Sequence, residues 1–81
     1  MNNEYRITFA WDEEAYVWMA FGEGIGLALE HGSLDVLMER VRWAVPELLE
    51  LNDMPCDNLV LEYSVSKTER LHKNGRVRKE A

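Results

Sequence analysis

Several things are scarce in this chain, and each scarcity narrows its chemistry. A single cysteine, Cys56, occurs in 81 residues, so no internal disulfide can form and a reducing, cytoplasmic setting is expected. Histidine occurs twice, at His31 and His72, far apart and without a second cysteine or histidine at ligand spacing. A zinc site is therefore not expected, and neither is any cofactor. A Cys56–His31 nucleophilic pair lacks a third, orienting group. No apolar run approaches the roughly 18 residues needed to cross a bilayer, and Met1-Asn2-Asn3-Glu4-Tyr5 carries no basic region leading into an apolar one, so no secretory signal is read there. Positive charge is scarce up to Ser66: Arg6, Arg40 and Arg42 stand against thirteen acids, a net of −10. Residues 67–81 reverse the sign, with six bases (Lys67, Arg70, Lys73, Arg76, Arg78, Lys79) against Glu69 and Glu80, a net of +4. An acidic body repels phosphate and favours basic partners. The basic segment offers Arg76, Arg78 and Lys79 as candidate nucleic-acid contacts, with a solvated tail as the plain alternative. The division expected is a folded domain over 1–69 and a flexible basic tail over 70–81.

Apolar residues supply the pattern. Tyr5, Ile7, Phe9 and Trp11 alternate with polar or small neighbours and predict a first strand. Asp12-Glu13-Glu14 is a polar break of hairpin length. Ala15 to Phe21 predicts a second strand that is apolar on both sides, with Tyr16, Trp18 and Ala20 on one and Val17, Met19 and Phe21 on the other. A strand of that kind is normally central and covered twice. After Gly22-Glu23-Gly24, residues Ile25 to Glu30 predict a third strand, with Ile25, Leu27 and Leu29 aligned. Ser33 is a suitable N-cap, and Asp35 lies where a helix dipole favours an anion. Leu34, Leu37, Met38, Val41, Ala44, Val45 and Leu48 then recur at helical spacing. Pro46 cannot donate to the carbonyl of Arg42, so a kink or an end to the regular helix is expected there. Asn58 to about Thr68 predicts the last strand, with Leu59, Leu61, Tyr63 and Val65 on one side.

One helix covers one face of such a sheet. The second strand nevertheless offers large apolar residues to both faces, and Val36 and Trp43 lie roughly opposite the main helical stripe. These features predict a second interaction surface, with a homodimer as the default assembly. Val36, Glu39, Trp43 and Glu47 are its candidate residues, and the plain alternative lays Trp43 on the surface under the C-terminal segment. No catalytic or metal-binding residue is assigned. Asp12, Glu13 and Glu14 form the only dense carboxylate cluster, and a solvated turn is the simplest reading of it; a metal-dependent nuclease remnant is the weaker one. Gly22-Glu23-Gly24-Ile25-Gly26 joins two strands and lacks a following Lys-Ser/Thr, so it is not a phosphate loop. The strand aromatics lack the interleaved bases of an RNA-stacking sheet.

Three blocks carry a family resemblance: Ile7 to Ala20; Ile25-Gly26-Leu27 with Ser33-Leu34-Asp35-Val36-Leu37-Met38; and, most specifically, Val45-Pro46-Glu47-Leu48-Leu49-Glu50-Leu51-Asn52. Over about residues 5–65 the chain resembles the DUF1902 family, small bacterial proteins related to HicB-type antitoxins. It departs at Ile25, where many relatives have Pro, and at Ser33, where many have Thr. The resemblance implies an α+β fold of order β-β-β-α-β, a truncated ribonuclease-H-like arrangement: an antiparallel three-stranded meander, a C-terminal strand beside the first, and one helix on one face. It further implies a non-enzymatic module that occludes a small basic RNA-cleaving toxin of the HicA type. Many relatives add a C-terminal DNA-binding domain; after Thr68 only residues 69–81 remain, so none is expected here. An orphan homodimeric structural module is the other reading of the same features.

Overall fold

The computed structural model describes residues 2–71. The elements run β1 (Asn3–Asp12), β2 (Val17–Gly22), β3 (Leu27–His31), α1 (Leu34–Leu51) and β4 (Leu59–Ser66). The four strands form one sheet of order β3-β2-β1-β4, in which β1–β2 and β2–β3 pair antiparallel and β1–β4 pair parallel. This is the expected meander with the last strand beside the first. Antiparallel neighbours need only tight turns, whereas β4 runs parallel to β1 and needs a crossover; α1 belongs to the connection that returns the chain to β1.

Helix α1 lies over β2 and β3. Its stripe Leu37, Val41, Val45 and Leu49 is fully buried against Ile7, Phe9, Ala20, Ile25 and Leu27. Leu59, Leu61 and Tyr63 of β4 pack at the margin of this core, and the Tyr63 ring meets Phe9 edge-on at 5.1 Å. The helix begins where expected: Ser33 has extended backbone, and its hydroxyl accepts the Val36 N–H at 3.2 Å. The Ser33 N–H in turn donates to Nδ1 of His31 at 2.9 Å, which ties the end of β3 to the helix start.

Three details narrow or change the expectations. First, of the kink or end expected at Pro46, the end is not seen: α1 continues to Leu51 with Asn52 as its cap, and Leu49, beyond the proline, is among the fully buried residues. Pro46 is exposed, so its ring faces away from the core and the residues on either side keep their apolar stripe. Second, β2 starts at Val17 rather than Ala15. Asp12 Oδ1 accepts the N–H groups of Glu14 (3.0 Å) and Ala15 (3.3 Å), and Tyr16 takes the left-handed backbone with φ 56°. Third, β3 starts at Leu27. Gly26, at φ 72°, turns the chain first, and Ile25 reaches the core from a loop instead of from a strand. The last strand is likewise shorter than expected at both ends, Leu59–Ser66.

Candidate functional site

Two apolar areas lie outside the core. The first is the sheet face opposite α1. Because strand neighbours share a face with alternate residues, the pairings Phe21↔Thr8, Met19↔Ala10 and Val17↔Asp12 in one direction, and Phe21↔Ala28 and Met19↔Glu30 in the other, place Val17, Met19, Phe21, Ala10 and Ala28 together. The expectation that β2 is central holds; in the single chain no described element covers its second face, and Phe21 is 42% exposed there. Glu30 and Asp12 border this patch. Arg6 and Glu62 sit on the same sheet face, nearer β4, and pair at 3.2 Å, both largely solvated, so their bond contributes little to stability.

The second area is the outer side of α1. Val36, Glu39, Trp43 and Glu47 are all exposed, as helical spacing predicts for residues three, four and seven apart. Trp43 is 73% exposed and no described residue covers it; the C-terminal segment of the plain alternative lies almost wholly outside the described residues. Further along the same side, Glu47, Glu50 and Leu51 line a shallow surface depression, and Leu51 is also largely exposed. An exposed indole with Glu39, Arg40 and Glu47 a turn away is an unusual surface for a monomer, since large aromatic side chains are enriched at interface centres.

The remaining candidates separate. Asp12 is engaged in its own turn, with Glu13 and Glu14 exposed beside it. Among the described residues no group of three or more His, Cys, Asp or Glu side chains is placed to hold a metal ion. Cys56 is exposed, and His31 is occupied at the helix cap. Trp11 and Trp18 meet edge-on at 5.4 Å, Trp11 and Tyr16 at 6.1 Å, and the Lys67 ammonium lies 5.1 Å from the Trp11 ring centre. This aromatic group closes one end of the sheet, with Lys67 as its lid. Arg76, Arg78 and Lys79, and the expected 70–81 tail beyond Leu71, lie outside the described residues. No described helix is long and apolar enough to cross a membrane. The sequence signal for the open sheet face is the doubly apolar second strand; which side lies open depends on where α1 docks.

Comparison with known proteins gives a consistent placement. No curated protein matches significantly. The structure is similar to the crystal structure of a hypothetical protein, TTHA1013, from the extremely thermophilic bacterium Thermus thermophilus: the TM-score is 0.65 at 33% identity, over 88% of this chain and all of that one. The family model for the domain of unknown function DUF1902 matches residues 4–73, and so the chain belongs to the DUF1902 family.

Proposed function

We propose that this chain is a non-enzymatic, HicB-like binding module that sequesters a small basic protein, an antitoxin-type partner of a toxin ribonuclease. The observation that carries the reading is Trp43, solvent-exposed on the outer side of α1 with Glu39 and Glu47 a turn away on either side. A partner that buries the indole meets Glu39 and Glu47 on either side, with Arg40 beside them, an apolar anchor within a charged rim whose two carboxylates suit basic groups. The −10 charge of residues 1–66 extends that preference over the whole body. The family resemblance adds the identity of the partner class.

The test uses the protein with a small basic ribonuclease encoded beside its gene. Titration calorimetry should show a stoichiometric complex, and RNA cleavage by the partner should stop at one equivalent. Trp43→Asp should weaken the complex at least about tenfold, the effect of losing one modest hot-spot contact. Stoichiometric inhibition that survives Trp43→Asp would move the site off the helix. Absence of any such neighbour that binds would remove the antitoxin reading and leave the orphan module.

A further inference from the structure

The outer edge of β4 is the longest unpaired backbone in the described fold. The register fixes which of its groups are free. The Asn3 N–H donates to the Asn58 carbonyl at 3.1 Å, and Asn3 through Ala10 pair in step with Leu59 through Ser66. In a parallel ladder that phase directs the N–H and C=O of Val60, Glu62 and Ser64 toward β1. The N–H and C=O of Leu59, Leu61, Tyr63 and Val65 therefore point outward, with no described strand beside them. Exposed edges of this kind normally carry lysine, proline, a bulge or extreme shortness. This one is eight residues long and has one charge, Glu62, already paired with Arg6. Val65 is 50% exposed and Val60 39%. The other edge, β3, has five residues, includes Glu30, and lies under α1.

We infer that β4 pairs antiparallel with β4 of a second copy of this chain, giving one continuous sheet through a two-fold dimer. Self-pairing restricts the register sharply. A two-fold axis normal to the sheet keeps the faces aligned, so each residue opposes one of the same parity. Centring on Glu62 places two carboxylates directly opposite each other, which is unfavourable. Centring on Leu61 runs the pair into Asn58, whose φ of 51° ends the extended backbone. Centring on Ser64 runs it past Ser66, where the strand stops. Centring on Tyr63 keeps Val60 through Ser66 paired. It sets Leu61 against Val65 of the second copy on the helix side, and Glu62 against Ser64 of the second copy on the open side. The Tyr63 pair and both Leu61–Val65 pairs each exchange two backbone hydrogen bonds. Charge selects the same surface: the body is strongly acidic, and two copies approach with least repulsion along a strand that carries a single acid, Glu62, with Arg6 beside it. This pairing uses neither Trp43 nor the open sheet face and does not depend on the antitoxin reading.

The experiment is light scattering after size exclusion at high micromolar concentration, on the full chain. The wild type should run at twice its 9.5 kDa mass. Val65→Pro removes an outward N–H and leaves the bonds to β1 in place, so it should run as a monomer with a cooperative melt. Ser64→Pro removes an inward N–H and should lower the melting temperature, which calibrates the phase of the ladder. In a Cys56→Ser background, Glu62→Cys with Ser64→Cys should form an intermolecular disulfide on mild oxidation, because these positions oppose each other closely. A monomeric wild type overturns the inference, as does a dimer that withstands Val65→Pro or that gives no disulfide. Loss of the dimer on Trp43→Asp instead would place the interface on α1.

Discussion

Asp53 sits one position past the helix cap Asn52, in the left-handed region at φ 56°, and its N–H reaches the Glu50 carbonyl at 3.2 Å while the Met54 N–H reaches that of Leu49 at 2.9 Å. This is a Schellman end with an aspartate where glycine is cheapest. Asp53 also places a negative charge at the negative end of the helix dipole, where it is unfavourable. Asp53→Gly should therefore stabilise the fold by about 0.5–1 kcal/mol, seen as a higher denaturation midpoint at unchanged slope. A lower midpoint would mean that the aspartate carboxylate holds a contact the strain argument ignores. Gly22 gives the opposite case. A Cβ there would stand 2.7 Å from Cδ1 of Ile25 and 2.9 Å from Cβ of Leu27. The isoleucine tip can swing, but a Cβ moves only with its backbone, so Gly22→Ala should cost about 1–3 kcal/mol by overpacking, read from the same denaturation curves. Neither effect is visible in the sequence alone. Asp53 reads as an ordinary polar terminator, and Gly22 reads as a turn residue, although it pairs with both Ile7 and Leu27 inside the sheet.

At the scale of elements, periodicity is informative wherever a single face is buried. The alternation of Tyr5, Ile7, Phe9 and Trp11 locates β1, and the spacing of Leu37, Val41 and Val45 locates the buried side of α1. It misleads where side-chain position and backbone conformation part company. Ile25 keeps the two-residue rhythm of Leu27 and Leu29 and reaches the core, yet Gly26 turns the chain between them. Tyr16 keeps the rhythm of Trp18 and Ala20 from a left-handed turn, held there by the Asp12 carboxylate acting on two neighbouring N–H groups. Leu49 is hidden behind Pro46, because a proline on the solvent side removes one hydrogen bond without interrupting the apolar stripe. That reasoning yields a prediction. An interior proline costs a helix about 3 kcal/mol relative to alanine, while its rigidity lowers the entropy of the unfolded chain by an amount worth about 0.4–1 kcal/mol. Since α1 already runs through the site, Pro46→Ala should raise stability by about 2–2.6 kcal/mol, measured by thermal and chemical denaturation. A loss of stability instead would show that the chain needs the proline to set the path of α1 from Val45 to Leu51.

For the whole molecule, the docking of α1 over β2 and β3 leaves three surfaces of different character among the described residues: an apolar sheet face, an outer helix side with Trp43 between Glu39 and Glu47, and a nearly uncharged β4 edge. Only the first two have a signal in the sequence, through surplus apolar residues; the edge follows from topology, since nothing in Leu59–Ser66 says which strand lies beside it. The surfaces differ in how they should respond to salt. Two copies, each with a net charge of −6, repel as they approach, so screening should tighten β4 pairing. A basic partner is attracted by the same field, so screening should slow its association by about tenfold or more between low and high ionic strength, an electrostatic effect on the on-rate. Sedimentation of the chain alone and stopped-flow binding of the partner, run over one salt series, should thus give slopes of opposite sign. Val65→Pro should abolish the first and leave the second. Replacing Glu39 and Glu47 together with glutamine should flatten the second, because rim charges act chiefly on the encounter, whereas Trp43→Asp should act on dissociation and leave the salt slope in place. If both associations weaken together as salt rises, the dimer is not held along an uncharged edge, and the acidic surface is engaged in self-association instead.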